Sequence, residues 1–393
     1  MNILFYCNEY PPYKTGGIGT VTKIVAEALA KRGHNIYVVG YYPTNTTQPE
    51  YSEINGVHIY RLQCAFRRNK LLLILYFLLL GLRKNKVIER EVKYTEQKIE
   101  ELIALHDIQI LEFTDYYPQN VYKLSKHVFK KFNIPTILRI HGCISFLQSY
   151  RGESNDISKI NDSRHFKRCN HINAVSEFSL QYILNNFDTS HFITQKVIPN
   201  PIENNFIKTN QPTNSNTILY IGKLTKAKGC YSILKAFNLC AEKYPQLILH
   251  VAGYGNIEQA KSYIKPQFLD RVHFLGFCNR EQIQKEIDNC AFACIPTYFE
   301  NFSMVALEIM GRQRALIFTE RTSGKEIIKD GENGFLVNPD NIEDIAKKIE
   351  LLYNNKPLRD NLATSAYHTI SEHYSSTIIV KKLEQYYQSI LNY

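Results

Sequence analysis

Short apolar runs rich in β-branched and aromatic residues alternate with longer amphipathic stretches along the whole chain, and that alternation leaves few folds open. It is the pattern of α/β architecture, in which a parallel sheet is covered by helices. The first half places strands at 3–6, 36–40, 108–113, 136–140, 171–175 and 195–198. The second half places them at 217–221, 247–252, 272–275, 291–295, 315–319 and 334–337. Two successive sets of six imply two sheets rather than one very wide one. The length of 393 residues suits two or three domains of roughly 150 residues each. The stretch 207–216 is polar and lacks periodicity, so it reads as the linker between a first domain, 1–206, and a second, 217–372. The last residues, 373–393, carry helical spacing and are expected to pack away from their own domain.

Hydrophobic residues make up 44% and charged residues 21%, ordinary values that argue against a disordered chain. Basic residues exceed acidic ones by 47 to 37, and unevenly. Residues 1–200 hold 25 basic and 17 acidic side chains, whereas 201–393 hold 22 and 20. The first half therefore faces something anionic. Nine cysteines without a CxxC pair or zinc spacing suit a reducing cytosol. Cys290 and Cys294, one helical turn apart by spacing, read as part of an apolar core element. The N-terminus lacks the basic region and long apolar run of a secretion signal, so a cytoplasmic protein is expected.

Leu71–Leu82 breaks the soluble pattern, being apolar on all sides with Arg67, Arg68, Lys70, Arg83, Lys84 and Lys86 around it. As a helix it rises about 18 Å, too little to span a hydrocarbon core of about 30 Å. Two readings stay open: an interfacial helix whose basic flanks meet an anionic membrane surface, or a buried core helix. Lys123, Lys126, His127, Lys130 and Lys131 step by three and four, the spacing of one helix face. That face is either simply solvated or an extension of the membrane-facing patch.

Four clusters could carry chemistry. Gly16-Gly17-Ile18-Gly19 follows the first strand and opens a helix, where backbone amides can approach a phosphate. A dinucleotide fingerprint is opposed by the nine residues between strand and glycines and by the missing ribose-binding acid. The cluster alone fits a flexible turn as well as an anion site. Gly222-Lys223-Leu224-Thr225-Lys226-Ala227-Lys228-Gly229 follows the strand 217–221, and its lysines suit a pyrophosphate or a solvated loop. Glu300 and Glu308 flank the start of a helix near Ser303, so that first-turn amides accompany Glu300. Glu308, on an otherwise apolar helix, needs a partner. His141, followed by Gly142, closes the strand 136–140.

In this order and spacing the clusters, with Val197-Ile198-Pro199-Asn200-Pro201 and the stretch 322–339, resemble family 4 glycosyltransferases. The resemblance runs from residue 3 to about 370. It implies the GT-B fold: two Rossmann-like domains facing across a cleft, with a C-terminal helix crossing back to the first domain. It implies a retaining hexosyltransferase that moves sugar from a nucleotide-diphosphate sugar, with UDP favoured, to a saccharide or lipid-linked acceptor. Lys223 and Lys228 are then expected at the donor diphosphate, with Gly17 and the amides of Phe302, Ser303 and Met304. Glu308 is expected at the ribose, Phe277 and Cys278 at the base, Glu300 beside the donor sugar, and His141 near the reacting centre. Two lysines and a helix N-terminus can replace a divalent ion at the leaving diphosphate, so no metal or other cofactor is expected. Two departures from the family stand out. Position 223 is Lys where Arg is usual, which keeps charge but loses bidentate binding. Asn301-Phe302-Ser303 stands for Gly-Phe-Gly and sets a side chain against the sugar.

Family use implies cell-surface polysaccharide or lipopolysaccharide assembly at the inner face of the plasma membrane. Competing readings are a nucleotide-sugar epimerase of the same fold and a non-catalytic partner subunit. Nucleic acid is not an expected partner, since no aromatic–basic RNA-binding pattern stands out.

Overall fold

A strand that is buried on both faces must be apolar throughout, and β1 (Asn2–Tyr6) is: Ile3, Leu4, Phe5 and Tyr6 are all buried. The computed structural model describes residues 1–12, 16–42, 48–63, 84–115, 129–150, 152–153, 156–208 and 216–392. The chain divides into two compact units, Met1–Pro201 with Ile379–Tyr393, and Ile202–Ile378. Each is a helix-covered α/β sheet.

After β1 the first unit continues with β2 (Asn35–Tyr42), β3 (Tyr51–Ile54), β4 (Val57–Gln63), β5 (Ile110–Thr114), β6 (Thr136–Ile140), β7 (His171–Ala174) and β8 (Thr194–Val197). Their order in the sheet is β3-β4-β2-β1-β5-β6-β7-β8. All pairs are parallel except β3 with β4. The helix Gly17–Lys31 follows β1 and buries Val21, Ile24, Val25 and Leu29, a stripe with helical spacing. The helix Ser376–Leu391 contributes Tyr387, whose hydroxyl donates to Glu112 Oε2 on β5 at 2.7 Å. Glu384 of the same helix accepts from Arg32 Nε at 3.1 Å and lies 2.7 Å from His34.

The second unit contains β9 (Thr217–Ile221), β10 (Ile248–Ala252), β11 (Val272–Gly276), β12 (Phe292–Ile295), β13 (Ala315–Thr319) and β14 (Phe335–Val337). They form an all-parallel sheet in the order β11-β10-β9-β12-β13-β14. The helix Cys230–Lys243 buries Ile233, Leu234, Phe237 and Ala241 against it. The twelve strands expected from the sequence are all present, with ends displaced by at most two residues.

Two expectations change. The hairpin β3–β4 was not expected, although its turn is Asn55-Gly56 with φ of 52° and 79°, the left-handed pair that closes a two-residue hairpin. Cys290 and Cys294 are both buried, as expected of an apolar core element: Cys290 caps the helix Arg280–Asn289 and Cys294 lies within β12. Lys130 and Lys131 belong to no helix. Lys130 instead pairs with Glu100, and its amide donates to Glu96 at 2.6 Å. Lys123, Lys126, His127 and Leu71–Leu82 lie outside the described residues, as does 209–215 within the expected linker. Among the described residues no helix is long and apolar enough to cross a membrane.

Candidate active site

In the second unit the chain runs from β9 outward to β10 and β11, then returns to pair β12 on the other side of β9. Loops leaving neighbouring strands at such a reversal diverge, and ligands of open α/β sheets bind at the carboxyl ends there. The loops in question are 222–229 after β9 and 296–303 after β12. Two of the sequence clusters are thereby brought together.

The loops are bonded to each other. The Ala227 carbonyl accepts from the Thr297 hydroxyl at 3.1 Å and from the Tyr298 amide at 3.0 Å. Gly229 has φ of 73°, and a Cβ there would lie 1.9 Å from the Pro296 carbonyl oxygen, so only glycine permits this approach. Across the seam Lys228 Nζ donates to Glu300 Oε2 at 2.8 Å. Lys223 is exposed, its ammonium 5.3 Å from the centre of the Tyr254 ring. The helix Met304–Gly311 begins beside Glu300; Ser303 caps it by accepting the Ala306 amide at 3.2 Å. The amides of Met304 and Val305, as first-turn groups, have no acceptor within the helix. Phe302 is buried with its ring 5.6 Å from Tyr374, which leaves its backbone as what it can present.

Tyr220, buried on β9, was not singled out from sequence. Its hydroxyl lies 2.9 Å from the Lys223 carbonyl and 3.0 Å from the Lys228 carbonyl, so one donor fixes the backbone of both lysines. Tyr220→Phe removes it, and the expected cost is about 1 kcal/mol of stability, read from the denaturant midpoint. Lysine-dependent anion binding should weaken several-fold in the same variant. Unchanged binding would show that the hydroxyl does not set the lysines.

Glu308 lies within the same helix. Burial pushes its carboxyl up to about 7; Arg280 pulls it down and Glu203 pushes it further up. Arg280 is the first residue of its helix, fixed by the Asn279–Gln282 capping box, and a cation there opposes the helix dipole. Its compensations are Glu203, 3.2 Å from Nη2, and the Phe206 ring, 4.4 Å from the guanidinium carbon. Neither Arg280 nor Glu203 carries a local sequence signal, because the two meet across 77 positions of chain. Ahead of Arg280, Phe277 is 77% exposed. Cys278 is partly buried, its thiol 3.8 Å from the Gly276 carbonyl and shifted up chiefly by burial.

The first unit has its own reversal, between β1 and β5. Gly17 starts the helix after β1, and a Cβ there would meet nothing within 4 Å among the described residues, whereas one on Gly19 would strike the Glu9 carbonyl at 2.0 Å. Gly19 is thus needed for packing, and Gly17 leaves open space. Asp115 follows β5 and accepts the amides of His141 at 2.9 Å and Gly142 at 2.8 Å. Burial pushes the Asp115 carboxyl up to about 7 despite those bonds. Burial, then Arg139, holds the His141 imidazole well below its ordinary range, so it is neutral. Its Nε2 is buried and has no hydrogen-bond partner among the described residues. Asp115 was also missed: a lone acid at a strand end has no pattern to mark it. Among the described residues no three His, Cys, Asp or Glu side chains gather at metal-binding separations.

The sequence profile of the family described as Glycosyl transferases group 1 matches residues 201–369, and that of Glycosyltransferase Family 4 matches 15–206. The chain belongs to family 4 of the glycosyltransferases. An uncharacterized glycosyltransferase of Methanocaldococcus jannaschii is 26% identical over 99% of this chain and 98% of its own. The capsular polysaccharide biosynthesis glycosyltransferase CapM of Staphylococcus aureus is 26% identical over 45% of this chain and 47% of its own, so that likeness spans about half of either protein. Among solved structures, sucrose-phosphate synthase from Thermosynechococcus elongatus superposes with a TM-score of 0.78 at 16% identity, covering 100% of this chain and 99% of that one. Anabaena HepE, solved in complex with UDP-glucose, gives 0.67 at 16% identity over 99% and 100%. The glycosyltransferase therefore has the GT-B fold, with a Rossmann-like sheet in each unit. Lys223, Lys228, Glu300 and Glu308 fall within the first profile, as do Glu203 and Arg280; Gly17, Asp115 and His141 fall within the second.

Proposed function

We propose that this family 4 glycosyltransferase is a retaining enzyme that moves a hexose from a UDP-sugar to a saccharide or lipid-linked acceptor in cell-surface polysaccharide assembly. The observation that carries the reading is the Lys228–Glu300 pair, set where the β9 and β12 loops meet, with Lys223 and the Met304 helix N-terminus beside it. When the bond from the anomeric carbon to the β-phosphate breaks, its electron pair stays on the diphosphate. Fixed cations and amide donors at that point stabilise the leaving group without a metal. The acceptor oxygen bonds to the anomeric carbon on the same face, and its proton passes to the departing phosphate oxygen. Glu300 steadies the cationic sugar and positions it. Glu308 accepts from the ribose, Phe277 and Cys278 border the base, and Gly17 and His141 are the first unit's contributions. The name of CapM and the UDP-glucose bound to HepE support the polysaccharide and UDP parts of the reading. The basic first half and Leu71–Leu82 support an acceptor at the inner membrane face.

A panel of UDP-, GDP- and ADP-sugars, each incubated with membrane extract and a chelator, tests this. The expected product is sugar in the lipid fraction from a UDP donor, with the donor's anomeric configuration kept in its proton NMR coupling. Product in the aqueous fraction only would remove the membrane part. Inversion, dependence on added metal, or turnover of another base would each overturn the corresponding part.

A further inference from the structure

Thr322 has φ of 56°, a left-handed conformation that a β-branched residue adopts only under strain. It lies in the turn after β13, the strand next to β12, and Glu300 lies in the loop after β12. What the strain accompanies is a reciprocal pair of bonds. The Thr322 hydroxyl donates to the Glu300 carbonyl at 2.6 Å, and the Glu300 amide donates back to the same oxygen at 3.2 Å. The hydroxyl of Ser323, which is fully buried, donates to that carbonyl as well, at 3.0 Å. Both backbone polar groups of Glu300 are thus held by two side chains of one turn, while its carboxylate is held by Lys228 at 2.8 Å.

The geometry points to Thr322 and Ser323 as positioning residues that fix the Glu300 carboxylate against the donor sugar. The inference rests on the proposed place of Glu300. A loop residue on its own retains backbone freedom, and a carboxylate displaced by about 1 Å can lose a hundredfold in rate. A turn chosen for stability alone would hold glycine or asparagine at φ of 56°. Threonine there trades local stability for the two bonds to Glu300. Ser323 adds a second donor to the carbonyl, which can accept two.

The test compares four single variants and the double variant Thr322→Gly/Glu300→Gln in a transfer assay on the full chain with a UDP-sugar donor, alongside thermal melting. Thr322→Gly relieves the strain and removes the hydroxyl; it should melt at or above the wild-type temperature yet lose about 10- to 100-fold in kcat, with donor KM nearly unchanged. Thr322→Val keeps the shape and strain and should lose kcat similarly. Thr322→Ser should recover most of the loss. Glu300→Gln should abolish the dependence on position 322, its own loss hiding any further one in the double variant. Wild-type kcat in Thr322→Gly, with Glu300→Gln impaired, would overturn the positioning role alone. Wild-type kcat in Glu300→Gln would overturn the place of Glu300 and this inference together.

Discussion

Replacing Lys228 by alanine is expected to lower kcat by about 10²- to 10³-fold, the loss that follows removal of one preorganised group from a developing anion. Two effects act in the same direction. On the proposed mechanism the ammonium that serves the leaving diphosphate disappears, and the Glu300 carboxylate, paired with it at 2.8 Å, becomes an uncompensated negative charge beside a negative ligand. Lys223 cannot substitute, because its exposed ammonium rests over the Tyr254 ring rather than against Glu300. Lys228→Arg restores the charge but must set a larger planar head against Glu300 where a compact ammonium sits at 2.8 Å, so only partial recovery is expected. Single-turnover kinetics with saturating donor separate the chemical step from binding. A Lys228→Ala enzyme that loses only donor affinity, with its single-turnover rate intact, would show that the lysine binds ground state and transition state alike.

The sequence exposed the fold because each buried parallel strand is locally apolar and each covering helix locally amphipathic. Ile218, Leu219 and Tyr220 on β9 and Ala315 to Phe318 on β13 announce themselves without long-range information. The β3–β4 hairpin carries a weaker signal: Asn55-Gly56 marks its turn, but β3 is a four-residue edge strand with exposed Tyr51 and Glu53 and no buried run of its own. The site was legible where chemistry is carried by consecutive residues, as in the lysine loop and the two glutamates. It was not legible where function depends on who faces whom. Tyr220 and Thr322 are ordinary residues in sequence, and their roles exist only because strand order places the β9, β12 and β13 loops side by side. Arg280 and Glu203 likewise meet only through the fold.

That meeting leads to a pH dependence with a definite sign. The Glu308 carboxyl is raised from the usual 4.5 to about 7 by burial, so the folded chain holds a proton that the unfolded chain releases between those values. Stability attributable to Glu308 is therefore undiminished below about pH 4.5, falls as pH rises through the window, and is lowest above about 7. Glu308→Gln should melt together with wild type at pH 4.5 and above it at pH 8. On the proposed ribose role of Glu308, donor binding should show the opposite trend, because only a carboxylate can accept from both ribose hydroxyls at once. Affinity for the nucleotide sugar, whose diphosphate diester does not titrate in this range, is expected to weaken about tenfold per unit below pH 7 and to level off above it. The charged groups acting on Glu308 are Arg280 and Glu203. Arg280→Gln should move the midpoint up by about one unit and Glu203→Gln should move it down. Asp115, also raised to about 7, belongs to the first unit, and any dependence it causes survives in Glu308→Gln. Calorimetric titration of a UDP-sugar across pH 5.5 to 8.5 reads all three midpoints. A Glu308→Gln profile identical to wild type would remove Glu308 from the ribose site, whereas a shift in Glu308→Gln without the paired shifts in Arg280→Gln and Glu203→Gln would leave it there with other groups setting its charge.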